Sequence, residues 1–181
     1  MKLRNYSGEA IVLAIKDYSE ADRILIVFSK DFGKVSLIAK GVRKITSRKR
    51  GHLEVFNLIK FSAAKTYGLD IVTEVEVVNN FQKIRKDLKK VTVGYYFCEV
   101  LGKITKEEEP HREIFKLLTS YMSKLEKQSN LKELRLNFIY DLLVGMGYWP
   151  KGKIIVNADK VLEEVIERGL NSIRVGKKVL E

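Results

Sequence analysis

Between Gly33 and Phe56 the chain reads GKVSLIAKGVRKITSRKRGHLEVF, and Lys34, Lys40, Arg43, Lys44, Arg48, Lys49 and Arg50 all precede its only acid, Glu54. These side chains are charged at neutral pH. Cations gathered on a connection between two strand-like segments suit the phosphates of a polyanion. The ordinary alternative is a solvated face that keeps a basic protein in solution. Ordinary surfaces mix signs, whereas this run leaves its charge uncompensated over most of its length, which favours binding. His52 follows the run and suits a phosphate or solvent equally. Asp17, Glu20 and Asp22 form a carboxylate cluster that a metal-dependent nuclease would use; beside Arg23 they read more simply as turn formers and ion partners. The single cysteine, Cys98, lies in the apolar context YYFCEVL, where a buried inert thiol is expected. One cysteine and two distant histidines, His52 and His111, give neither an internal disulfide nor a metal-ligand cluster. No Walker-type phosphate loop, dinucleotide-binding glycine fingerprint or HExxH helix occurs. The expectation is a nonenzymatic binding protein without cofactor or metal.

The elements that must hold the basic run are strands. Gly8 to Lys16, Arg23 to Phe28, Lys34 to Ala39, Leu53 to Ala63 and Asp70 to Val78 are β-rich, with turns at residues 17–20, 30–33 and 66–68. Strands this short, joined by tight turns and one long basic connection, favour a small barrel, which removes its own edges. Spacing alone does not separate an oligonucleotide-binding barrel from an SH3-like one. A single nucleic-acid strand also needs stacking platforms. Of Phe28, Phe32, Phe56, Phe61 and Tyr67, the turn residues Phe32 and Tyr67 are the expected exposed ones.

Beyond Asn80 the apolar period becomes helical. Phe81 to Lys90 is a short basic helix or turn, and Tyr95, Cys98 and Leu101 mark one face of a helix over Val91 to Thr105. Pro110 fits the first turn of a helix through Ile114, Leu118, Tyr121, Met122 and Leu125. Leu131, Leu134, Phe138, Leu142 and Met146 stripe the next, which Gly147 stops. Asn157 or Asp159 caps a last helix ending at Gly169. The fold class is therefore α+β, with a five-stranded barrel over residues 1–80 and a helical domain over 81–181.

The 181-residue chain is 45% hydrophobic and carries a formal net charge of +11, values of a globular protein drawn to polyanions. Its first apolar stretch is too short for a signal peptide, and no apolar run approaches a membrane span. A cytoplasmic location follows as the expectation.

The stretches YSEADRIL and FSKDFGKVSLIAKGVRKITSRKRGHLEVF resemble the N-terminal region of the bacterial recombination mediator family RecO, through Tyr18, Glu20, Asp22, Arg23, Gly33, Lys40, Gly41, Arg43, Ser47 and Phe56. Tyr95–Tyr96 with Glu99, Val100 and Leu101, then Phe115, Leu117, Leu118 and Phe138 through Leu143 to Gly147, resemble the family's helical domain. The likeness covers roughly residues 1–150. It implies an oligonucleotide-binding (OB) barrel that takes single- and double-stranded DNA through Arg23 and the seven loop cations. It further implies strand annealing, and RecA loading onto DNA coated by single-stranded-DNA-binding protein. The implied partners are RecR and the coating protein's acidic C-terminal tail. Arg112, Lys116, Lys132, Arg135 and Phe138 are the candidate receptor for that tail. Two departures stand out: no cysteine follows Cys98, where many relatives carry a four-cysteine zinc motif, and Ile139 occupies a position where the family often has Glu. An RNA-binding barrel of translation or RNA processing and the metal-dependent nuclease are the competing readings.

Overall fold

A computed structural model describes residues 5–45, 47 and 51–166. The chain divides into two compact units, one of residues 1–80 with 105–111, the other of residues 81–104 with 112–181.

In the first unit β1 (Asn5–Tyr18), β2 (Asp22–Ser29), β3 (Gly33–Ala39), β4 (Leu58–Ala64) and β5 (Asp70–Asn79) close in the order β1-β2-β3-β5-β4. This five-stranded closed barrel is an OB fold. β1 makes closure possible by serving two neighbours. Its first half pairs with β4 from Asn5–Ala64 to Ile11–Leu58, and its second half pairs with β2 as far as Tyr18–Asp22. A register shift between Val12 and Ala14 bends the strand from one partner to the other. β3 and β5 run parallel through Leu37–Asp70 and Ile38–Ile71. Alternate residues fill the interior: Ala10, Val12, Leu25, Val27, Leu37, Ile59, Phe61 and Val72 are all nearly inaccessible to solvent.

The sequence places the fourth strand from Leu53, but β4 starts at Leu58. Residues 53–57 turn instead, because Phe56 has φ +80°, outside any strand conformation. Val12 explains why the segment still reads as apolar. Its N–H donates to Asn57 O at 3.0 Å and its carbonyl accepts from Phe56 N–H at 2.9 Å. Leu53 and Phe56 are thereby buried.

The segment 105–111 belongs to the barrel unit through β3. Gly33 (φ +70°) approaches it so closely that an added Cβ would lie 2.1 Å from Glu109 O. Glu108 N–H donates to Lys34 O at 2.9 Å.

The second unit contains α1 (Gln82–Arg85), α2 (Leu88–Ile104), α3 (Arg112–Lys127), α4 (Leu131–Gly145) and α5 (Ala158–Ile166). α2 is its central rod: Val93, Tyr96, Phe97, Cys98, Val100 and Leu101 point several ways and all are buried. The expected face through Tyr95 is corrected by this arrangement, since Tyr95 is half exposed while Tyr96 and Phe97 are buried. Phe97 lies 4.1 Å from Phe138 and 6.0 Å from Tyr121 between ring centroids, an aromatic cluster joining α2, α3 and α4. Asn130 caps α4 through Glu133 N–H. Asn157, rather than Asp159, caps α5: its side chain accepts from Lys160 N–H at 3.1 Å.

Candidate nucleic-acid interface

Strand register gathers the interface at one end of the barrel. Arg23 pairs with Ala39, and Ile38 with Ile71. The β1–β2 turn, the start of the basic β3–β4 connection and the β4–β5 turn therefore meet at a common rim. OB folds use the first and last of these loops for oligonucleotides.

Asp17 organises the cations there. Arg23 Nε donates to Asp17 Oδ1 at 3.0 Å, and Arg43 Nη2 lies 3.5 Å from Asp17 Oδ2. Arg43 Nη1 also donates to Ser19 O at 2.9 Å, while its backbone N–H donates to Ala21 O at 2.9 Å. Asp22 accepts from Gly41 N–H at 2.7 Å, fixing the turn where Gly41 takes φ +66°. The acidic turn thus anchors the root of the basic connection. Asp17 and Asp22 are occupied as partners and not gathered for a metal; among the described residues no three His, Cys, Asp or Glu are placed to hold one. A four-cysteine zinc site has no donor set in this sequence, which carries a single cysteine, Cys98.

Lys40 and Lys44 are exposed beyond this root, and Arg43 keeps part of its guanidinium in solvent. Arg48, Lys49 and Arg50 lie outside the described residues. Lys34 does not join them. It pairs with Phe28 near the β2–β3 turn, at the opposite end of the sheet. Its ammonium donates to Thr105 O at 2.7 Å and lies 3.8 Å from Glu107. This corrects its assignment to a DNA-binding group: its side chain is only 14% exposed and holds the 105–111 segment.

The aromatic expectation divides in the same way. Phe28, Phe56 and Phe61 are interior. Phe32 packs edge-on against Tyr6, centroids 4.8 Å apart, and is no open platform. Tyr67 is 99% exposed on a turn whose shape is set by Thr66 N–H donating to Asp70 Oδ1 at 3.0 Å and Gly68 N–H donating to Thr66 Oγ1 at 3.1 Å. Tyr18, which the sequence marks in the family resemblance but not among the stacking candidates, is half exposed beside Asp17 at the end of β1. Its signal was positional: it closes an apolar strand at an acidic turn. Asp70, by contrast, accepts from Tyr6 at 2.8 Å, and burial together with this carboxylate pushes the Tyr6 hydroxyl well up from its ordinary range.

In the helical unit two of the five candidate peptide-receptor residues, Arg135 and Phe138, are taken up by packing. Phe138 is fully buried between Phe97 and Tyr121. Arg135 grips Asp159 with both terminal nitrogens, Nη2 to Oδ2 at 3.1 Å, and lies over the Tyr96 ring 5.2 Å from its centroid. Burial pushes the Tyr96 hydroxyl up, and Arg135 draws it partly back. Phe138 and Arg135 are core groups here, a correction to their reading as a docking face. Lys116 and Lys132 are exposed, Lys116 beside Glu113 at 2.8 Å. Among the described residues no helix is long and apolar enough to cross a membrane.

The chain matches the family model described as Recombination protein O N terminal over residues 1–81, and Recombination protein O C terminal over residues 85–153. It is 31% identical to "DNA repair protein RecO" of Dehalococcoides mccartyi strain BAV1 over 165 residues, 91% of this chain and 65% of the relative. It is 33% identical to the protein of that name from Pelotomaculum thermopropionicum, covering 83% of this chain and 57% of the relative. The Desulforamulus reducens protein is 36% identical over 118 residues, 65% of this chain and 46% of the relative. The matched region thus spans between 46% and 65% of the length of these curated relatives.

Proposed function

Because the chain belongs to the recombination protein O (RecO) family, we propose that it is a nonenzymatic DNA-binding mediator of recombinational repair. In this reading the OB barrel captures DNA at the rim formed by the β1–β2 turn, the basic connection and the β4–β5 turn. The observation that carries it is the anchoring of Arg43 on Asp17, Ser19 and Ala21. That anchoring fixes the root of a strongly basic connection next to exposed Tyr18 and Tyr67. Cations neutralise phosphates without reading bases, and exposed rings offer stacking to any base. Two strands neutralised on one protein repel each other less, which lowers the barrier to annealing.

Annealing of complementary strands, loading of RecA onto coated DNA, and partnership with RecR and the acidic tail of the coating protein complete the proposal. Its site of action is the nucleoid. For the tail, exposed Lys116 and Lys132 remain suitable cations. The turn positions of Asp17 and Asp22 favour this reading over a metal-dependent nuclease.

The test is a strand-annealing assay with and without coating protein, beside direct binding to DNA and RNA. Replacing Lys40, Arg43, Lys44, Arg48, Lys49 and Arg50 with alanine lowers affinity evenly across DNA sequences. The slope of log affinity against log salt also flattens by about 0.7 for each single-strand phosphate that the variant no longer neutralises. Wild-type affinity and slope in this variant would remove the rim as the DNA site. Tighter binding to RNA than to DNA of matched sequence would favour a factor of RNA processing.

A further inference from the structure

The helical unit carries a second concentration of positive charge, in FQKIRKDLKK, where α1 breaks and α2 begins. Lys83, Lys86 and Lys89 are exposed there. The fold brings this segment against the last turn of α3: Lys83 N–H donates to Glu126 Oε1 at 3.3 Å, and Lys90 Nζ to Glu126 O at 2.8 Å. That turn adds exposed Lys124 and Lys127.

Three other exposed or half-exposed lysines of this unit stand beside carboxylates. Lys103 lies 2.7 Å from Glu99, Lys116 2.8 Å from Glu113, and Lys160 4.0 Å from Glu164. Among the described residues none of Lys83, Lys86, Lys89, Lys124 and Lys127 has such a partner. The acids at hand are turned to the backbone: Asp87 caps α2 by accepting from Lys89 N–H at 2.9 Å, and Glu126 accepts from Lys83 N–H. The first turn of α2 contains no acid, so Lys89 and Lys90 sit at the positive end of the helix, a placement that helix electrostatics opposes. Like charges assembled against that opposition raise the local potential for an anion.

We propose that the α1–α2 junction and the end of α3 form a second polyanion-binding surface, which holds the phosphate backbone of a nucleic-acid strand. The cations come from two chain segments held together by Glu126, and so make a strip and not a single pocket. A backbone of evenly spaced charges fits a strip. No exposed aromatic side chain lies in either segment, so contact is through phosphates and is indifferent to sequence. The inference stands on these residues alone and does not require the barrel rim to bind DNA. With both surfaces working, one chain holds two strands.

Three variants of the whole chain separate the possibilities: K83E/K86E/K89E, the loop-alanine variant described above, and K151E/K153E/K160E as a charge-matched control at exposed positions elsewhere in the unit. The probe is a labelled oligothymidylate of about 20 nucleotides, titrated at several salt concentrations. K83E/K86E/K89E is expected to lose about tenfold in affinity at low salt and to flatten the salt slope by about 2, with the control close to wild type. An unchanged affinity and slope would overturn the proposal, whatever the loop variant does. Loss in the junction variant with no loss in the loop variant would instead overturn the rim and leave this surface standing. Glutamate at position 89 suits a helix N-terminus, so the fold is expected to survive. Should circular dichroism show otherwise, K124Q/K127Q, which leaves the start of α2 intact, carries the same test. An acidic peptide that loses binding in these variants while the oligothymidylate does not would assign the surface to a protein and overturn the proposal.

Discussion

Arg43 in the barrel and Arg135 in the helical unit each meet one aspartate, and the two pairs differ in nearly everything else. Arg43 reaches Asp17 at 3.5 Å through one nitrogen, and Asp17 is 56% exposed. Arg135 holds Asp159 with two nitrogens, and the pair is 14% and 18% exposed. In water an ion pair to an exposed carboxylate is worth little, and a phosphate can replace it. Away from water, both charges have lost their hydration and each is the other's replacement for it. Arg135 is further fixed over Tyr96. Availability, rather than charge, separates an arginine that can bind DNA from one that holds helices together.

The largest effect expected from this contrast is at Asp159. Asp159→Ala leaves the Arg135 guanidinium without its partner among α2, α4 and α5, and is expected to cost about 3 kcal/mol. Denaturant unfolding followed by circular dichroism measures it. The double variant Arg135→Met with Asp159→Leu removes both charges and is expected to recover most of that loss. A cost below about 0.5 kcal/mol for Asp159→Ala would place this pair with surface pairs and dissolve the contrast.

Cys98 reports on the same region. Burial in α2 pushes its thiol up to about 12 from an ordinary value of 9.0. A raised pKa favours the folded state while the thiol is neutral. That contribution is complete below about pH 9 and is lost as pH rises toward 12. Native protein is therefore expected to resist alkylation near neutral pH, because the reactive thiolate is scarce and covered. Asp159→Ala should label faster if the ion pair keeps α5 closed over its neighbours. Mass spectrometry over a time course distinguishes the two. Rapid labelling of the wild type would show that α2 opens without help.

Much of the fold was legible in the sequence because it depended on local pattern. The continuous apolar run in RILIVF marks β2, the β-rich segment KVSLIA marks β3, and the change of period after Asn80 marks the helices. Leu53 to Asn57 misled because apolar residues suggest a strand, when their burial follows from hydrogen bonds to Val12 at a bulge. Lys34 falls with the loop by proximity in sequence, yet it lies a strand's length away from the rim and binds Thr105, a residue 71 positions later. Phe138 and Arg135 share a helical face as expected, but that face is turned inward. No periodicity argument identifies a partner such as Asp159, which arrives from the other side of a loop. The cations of the rim were legible as a basic run, but their anchoring was not: Asp17 and Arg43 are distant in sequence, and the pairing of β1 with β2 and of β2 with β3, through Asp17–Arg23 and Arg23–Ala39, makes them neighbours.

The smallest effect sharpens the comparison most. Asp17→Asn keeps the size of the side chain and the hydrogen bond from Arg23, but removes the charge shared by Arg23 and Arg43. Since this pair is exposed, stability is expected to shift by less than about 1 kcal/mol. Affinity for DNA is expected to rise about two- to threefold, because an anion beside the phosphate path is gone. The salt slope should stay near wild type, since no new phosphate is contacted. Asp22→Ala is the companion variant. It removes the acceptor for Gly41 N–H, bonded at 2.7 Å, and so loosens the root of the connection while also removing one negative charge. If charge alone governed the rim, both variants would bind DNA more tightly. If anchoring matters, Asp22→Ala binds no better than wild type, because a loosened loop must be ordered again when DNA arrives. Equal gains in the two variants would reduce the acidic turn to a source of repulsion. A gain confined to Asp17→Asn would establish it as the scaffold from which the basic connection is presented.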